Sequence, residues 1–156
     1  MMLRPRARHA ASRPRKEPAI IATVQVRYIV NDVHAAIAFY CQHLGFSEAM
    51  HPSPMFAMLT RGDLRLVLSQ PGGQALGGGS TLADGRTPQP GGWNRFAIEV
   101  TDLAETVERL RNAGVRFRSD IIQGVGGNQA LVEDPSGNPI ELFQPIRAEA
   151  RLAPTR

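Results

Sequence analysis

The chain has 156 residues, 42% of them hydrophobic and 21% charged, with a single cysteine and a formal net charge of +4. That composition is globular and excludes fibrous and collagenous classes, and no apolar run approaches the ~20 residues that span a bilayer, so no membrane partner is expected. A lone Cys41 excludes an intrachain disulfide framework and points to a reducing, cytoplasmic compartment, with the thiol buried and inert inside a helix.

The positive charge is localised. Residues 1–17 carry six Arg and Lys against Glu17, so the remaining 12 basic and 13 acidic residues nearly cancel. The excess belongs to a tail, 1–18, rich in Arg, Ala and Pro and without an apolar period, which reads as disordered. Such a tail suits a transit peptide, a phosphate contact or a dispensable extension. A domain that is itself almost neutral predicts no nucleic-acid partner.

In chain order, Thr23 to Val30 alternates Val24, Val26, Tyr28 and Val30 against Gln25, Arg27 and Ile29, the period of a half-buried strand. Asp32 then caps a helix whose Val33, Ile37, Tyr40 and Leu44 share one face and which Gly45 stops. Phe46–His51, Phe56–Thr60 and Leu64–Ser69 read as three strands separated by Pro52-Ser53-Pro54 and Arg61-Gly62-Asp63. From 70 to 92 glycine, proline and small polar residues predict a linker or mobile loop. Its Gly77-Gly78-Gly79 lacks the strand-to-helix context of a phosphate cradle.

The same unit then returns. Asn94–Val100 reads as a strand; Asp102 caps a helix with Glu105 at the capping-box position, Leu103, Val107 and Leu110 on one face, and Gly114 as its stop. Val115–Ile122, Gln129–Glu133 and Ile140–Gln144 supply three strands, the last two joined through the turn residues Asp134-Pro135-Ser136-Gly137-Asn138. The offset is 70 residues at Asp32 and Asp102, 69 at Gly45 and Gly114, and 74 at Leu68 and Leu142, an internal duplication. The expected fold is α+β: two βαβββ repeats, 22–70 and 93–145, joined by the 71–92 linker within a domain of 19–146, with 147–156 as a tail. The repeats form curved mixed sheets around a concave pocket, helices outside. Side-chain alternation sends Ile140 and Leu142 to the helix and Glu141, beside Phe143, to the pocket.

Val30-Asn31-Asp32 leading into Ala38-Phe39-Tyr40 and Leu44-Gly45-Phe46, together with Glu133-Asp134-Pro135-Ser136-Gly137-Asn138 leading into Ile140-Glu141-Leu142, resembles the vicinal oxygen chelate superfamily over residues 22 to 145. Its members include glyoxalase I, bleomycin-resistance proteins and extradiol dioxygenases, so the resemblance carries fold more than function. It implies metal ligands on the first and last strand of each unit, at Gln25, Val67, Arg95 and Glu141. Gln25 and Glu141 can serve as oxygen ligands to Zn, Ni, Fe or Mn. Val67 cannot coordinate, and Arg95 is permanently cationic. His9, His34, His43 and His51 read as isolated surface histidines, His51 within reach of a pocket rim.

Arg95 opposite Glu141 satisfies both charges in place of an ion, as a structural pair or a binding device. Arg27 and Arg65 share strand faces with Gln25 and Val67, and with Arg95 and Phe143 they complete a ligand-binding set for a polar or anionic molecule. Three classes follow: a metal-independent small-molecule binder of the resistance or sequestration kind, with no cofactor; a metal-dependent lyase or dioxygenase of glyoxalase type with Glu141 as catalytic residue; and a degenerate structural or regulatory module. A homodimer is expected, its pocket formed within one chain or across two.

Overall fold

The computed structural model describes residues 24–72 and 78–152; the expected tail 1–18, Thr23, Gly77 of the triple glycine and residues 153–156 lie outside the described residues. β1 (Val24–Ile29) leads into α1 (Val33–His43), followed by β2 (Ser47–Ser53), β3 (Phe56–Arg61) and β4 (Leu64–Ser69). β5 (Ala97–Glu99) leads into α2 (Leu103–Asn112), followed by β6 (Arg116–Phe117), β7 (Ile122–Gln123), β8 (Gly127–Glu133) and β9 (Pro139–Pro145). The duplicated βαβββ plan is present, with one strand of the second unit split in two.

Both helices begin where the sequence places their caps. Asp32 sits in extended backbone and its Oδ1 accepts from the Ala35 N–H at 3.0 Å; Asp102 does the same for Glu105 at 2.9 Å. These carboxylates satisfy helix N–H groups that have no partner within the helix. Beyond the helix ends, Gly45 and Gly114 take φ of 71° and 79°, a conformation that strains any residue with a Cβ.

The first sheet has the order β1-β4-β3-β2 and the second β5-β9-β8-β6, with β7 also on β8; β1/β4 and β5/β9 are the parallel pairs. Ile140 and Leu142 are fully buried on the helix side, in one apolar cluster with Val107, Leu110, Ala130 and Val132. The cluster runs through both units. Phe96, just before β5, lies 5.2 Å from the Tyr28 ring and 6.1 Å from Phe46.

Polar bonds close the same seam. Tyr28 Oη donates to the Pro139 carbonyl at 2.6 Å, the Asn31 N–H to Ser136 Oγ at 2.8 Å, and Tyr40 Oη to Asp134 Oδ2 at 2.9 Å. Asp134 is fully buried and also accepts from the N–H groups of Ser136 and Asn138 and from Asn138 Nδ2, each at 2.9 Å. A carboxylate so surrounded can be buried without an opposite charge, since its lone pairs are all used.

Two expected strands differ in extent. Asn94–Val100 is a strand only over Ala97–Glu99, flanked by one bond at each end: the Phe96 carbonyl accepts from the Glu141 N–H at 3.0 Å, and the Val100 N–H donates to the Phe143 carbonyl at 2.8 Å. Val115–Ile122 breaks into β6 and β7, since Ser119 Oγ takes the Leu131 N–H at 3.0 Å where a backbone carbonyl would continue the ladder. In the connecting segment, residues 78–92 are tied by hydrogen bonds: Leu82 N–H to the Arg86 carbonyl at 2.8 Å, and Gly91 N–H to Asn138 Oδ1 at 2.7 Å.

Candidate functional site

The face turned away from the helices carries the expected polar residues. Glu141 points there, flanked by Ala97 on β5 and Leu131 on β8, and Phe143 follows beside Gln129. Arg95 Nε donates to Glu141 Oε2 at 2.8 Å, and Arg95 Nη1 donates to the Trp93 carbonyl at 3.3 Å. The side chains are 29% and 17% exposed, so the pair is partly shielded from water. In that setting a charge-assisted bond is stronger than on an open surface, and removing one member strands the other.

The first sheet contributes differently. Arg27 Nη1 donates to Ser69 Oγ, and its guanidinium lies against Gly78, where a Cβ would sit 2.2 Å from Nε. Arg27 therefore holds the connecting segment onto the end of β4. Arg65 Nη1 folds back onto the Gly62 carbonyl at 3.1 Å, capping its own turn. Gln25 is exposed and stands opposite Arg65 in the β1–β4 register. Val67 is 1% exposed and lies between Arg27 and Met58, outside the helix-side cluster. Gln25 and Glu141 thus stand on separate sheets, and no hydrogen bond joins them among the described residues. The structure brings Arg95 and Glu141 together and leaves Gln25, Arg27 and Arg65 in the other sheet.

Phe143 owes its position to Gly127. A Cβ at Gly127 would lie 2.3 Å from the Gln144 carbonyl oxygen and 2.7 Å from the Phe143 ring, so the ring rests directly on the neighbouring backbone.

Sequence reading missed a second polar cluster on the same face. Arg118 Nε donates to Glu133 Oε1 at 2.7 Å, Nη2 to the Gly137 carbonyl at 2.8 Å, and Nη1 to the Gly92 carbonyl, while its guanidinium carbon lies 4.8 Å from the centre of the Trp93 ring. The signal was present, because Glu133 follows Leu131 and Gln129 at period two, the face of Glu141's neighbours. Trp93 was hidden inside a segment read only for its Gly and Pro.

The tyrosines at the seam remain protonated donors. Burial pushes Tyr28 up to about 12, and burial together with the Asp134 carboxylate raises Tyr40 well above its ordinary value. Burial, then Glu48, raises the half-buried Cys41 thiol, which reduces its thiolate fraction. His34 and His51 meet edge to face at 4.8 Å, and His43 packs on Phe39 at 5.7 Å. The four positions implied for metal do not fit a divalent ion. Val67 has no donor atom and Arg95 brings a cation onto the Glu141 oxygen an ion would need, which leaves Gln25 and Glu141 as the two remaining oxygen ligands.

The profile of the Glyoxalase/Bleomycin resistance protein/Dioxygenase superfamily matches residues 22–142. A bleomycin resistance protein of Geobacillus stearothermophilus is 27% identical over 124 residues, covering 76% of this chain and 93% of that protein. Among solved structures, a member of the same superfamily from Sphaerobacter thermophilus DSM 20745 is 25% identical, with a TM-score of 0.64 over 80% of this chain and 98% of its own. TnmS3, an antibiotic binding protein from Streptomyces sp. CB03234, is also 25% identical, with a TM-score of 0.61 over 82% of this chain and 98% of its own.

Proposed function

This chain belongs to the Glyoxalase/Bleomycin resistance protein/Dioxygenase superfamily, and on that premise we propose that it binds a small organic molecule on the open face of its sheets without a coordinated metal. The observation that carries this reading is the Arg95–Glu141 pair at 2.8 Å. Arg95 supplies the positive charge that a metal would bring, in a form that donates hydrogen bonds to a ligand instead of accepting its lone pairs. Relatives named as a bleomycin resistance protein and an antibiotic binding protein favour capture of an antibiotic-like molecule over turnover. An enzyme of glyoxalase or dioxygenase type would need Glu141 free of Arg95.

We further propose a cytoplasmic homodimer. A free thiol at Cys41 suits a reducing compartment, and a second copy accounts for open faces that one chain leaves on two separate sheets.

The test is calorimetric titration of bleomycin into protein dialysed against a chelator. Saturable binding should survive chelation and weaken at least tenfold in Arg95→Gln. Binding that disappears on chelation and returns with zinc or nickel would overturn the metal-independent reading. Absence of binding under both conditions would remove antibiotic capture of this type.

A further inference from the structure

Trp93 is the single tryptophan of the chain, and its side of the molecule is open: the residue is 69% exposed. A bare indole in water has an apolar surface with nothing to cover it, and here one of its two flat faces is already occupied. Arg118 lies over the ring at 4.8 Å and is itself fixed from three other directions, by the Glu133 carboxylate and the carbonyls of Gly92 and Gly137. The backbone is fixed as well. The Trp93 carbonyl accepts from Arg95 Nη1, and the Gly91 N–H is held by Asn138 Oδ1. A ring supported on one face and tethered on both sides in the chain loses little freedom when something lies on its other face.

The geometry points to the free face of Trp93 as a stacking platform for a flat, neutral or anionic aromatic ring of the ligand. The inference rests on the reading of this face as a small-molecule site and names the class of molecule it takes. Three observations set that class. The indole is a large π-surface that favours offset stacking with another aromatic ring. The Arg118 guanidinium already draws on the ring's negative quadrupole, so a second cation on the opposite face gains less and meets a like charge through the ring. Arg95, bonded to the Trp93 carbonyl, keeps Nη2 without a protein partner among the described residues, a donor for an acidic or carbonyl substituent.

Because the ring is the only indole present, its fluorescence reports on this position alone. The experiment titrates wild-type protein with 2-naphthoate and, separately, with N-methylquinolinium, a cation of similar size, following both fluorescence and calorimetric heat. Saturable quenching by 2-naphthoate is expected, with the same Kd from both readouts and at least tenfold weaker binding of the cation. Affinity should fall at least tenfold in Trp93→Ala and stay within about twofold in Trp93→Phe, which keeps a flat ring and excludes misfolding as the cause. Heat of binding that persists unchanged in Trp93→Ala, with no quenching in the wild type, would overturn the stacking role while leaving small-molecule binding on this face intact. Neither heat nor quenching with 2-naphthoate in the wild type would overturn it as well, and the bleomycin titration then decides the broader reading independently. Equal affinity for the two probes would contradict the charge argument. Conversion of Trp93→Ala to a smaller oligomer by light scattering would assign the ring to a subunit contact and sink the proposal.

Discussion

Asn138 Nδ2 donates to the Ile29 carbonyl at 2.8 Å, so one side chain in the β8–β9 turn holds the end of the first strand, 109 residues earlier in the chain. Its amide also meets Asp134 Oδ2 and its Oδ1 meets the Gly91 N–H. Asn138→Ala leaves the part-buried Ile29 carbonyl and Gly91 N–H without this partner and removes one of the bonds to the buried Asp134 carboxylate, which keeps that from Tyr40. A loss of about 1–3 kcal/mol per stranded group is the scale for such changes. Denaturant unfolding should show a single shifted transition, because both units share the lost bonds; a transition at the wild-type midpoint would count against this role.

Leu142 and Ile140 are fully buried against the helix side. Leu142→Asp or Ile140→Asp places a carboxylate in the apolar helix-side cluster, and either should abolish cooperative folding. Glu141→Gln, one residue away but on the open face, should remain folded. Circular dichroism during thermal melting separates the two faces, and folded aspartate variants would refute the strand register.

Gly127→Ala pushes a methyl group to within 2.3 Å of the Gln144 carbonyl oxygen, which is backbone and cannot step aside cheaply. A cost of roughly 1–3 kcal/mol is expected from such overpacking. Gly78→Ala meets first the far end of the Arg27 side chain, which can swing away at the loss of its bond to Ser69 Oγ, so its melting temperature should change less. Comparable losses in the two variants would contradict the distinction.

Tyr28 has its pKa raised by burial to about 12 in the folded chain, against 10.0 for the free side chain. Above pH 10 the unfolded state sheds this proton first, so the unfolded chain binds fewer protons and stability falls as pH rises. The contribution is fully present below pH 10 and is lost between about 10 and 12. Tyr28→Phe should flatten the decline in denaturation midpoint over that window; an unchanged slope would show that the hydroxyl is not held protonated.

The helix boundaries were legible because each rests on one residue's local chemistry: a capping carboxylate at Asp32 and Asp102, and a glycine at 45 and 114. The Arg95–Glu141 pairing was legible too, since the spacing from Asp102 and the period-two alternation of the last strand put both residues on the open face, although Arg95 lies just before β5. What escaped were effects of side chains bonding to distant backbone. Ser119 bonding the Leu131 N–H where the strand between β6 and β7 breaks, Asn138 reaching Ile29, and Arg118 gathering Glu133, Gly92, Gly137 and Trp93 all depend on tertiary neighbours that no local pattern encodes.

Arg95 stands where an ion would otherwise balance Glu141. Elemental analysis of protein purified without added metal, for wild type, Glu141→Ala and Arg95→His, tests it most directly. The wild type and Glu141→Ala should carry well below one equivalent of zinc, nickel, iron or manganese, while Arg95→His, which trades the guanidinium for a nitrogen ligand, should gain affinity for such ions. One tightly held equivalent in the wild type, lost in Glu141→Ala, would contradict the claim and make the protein a metalloenzyme candidate.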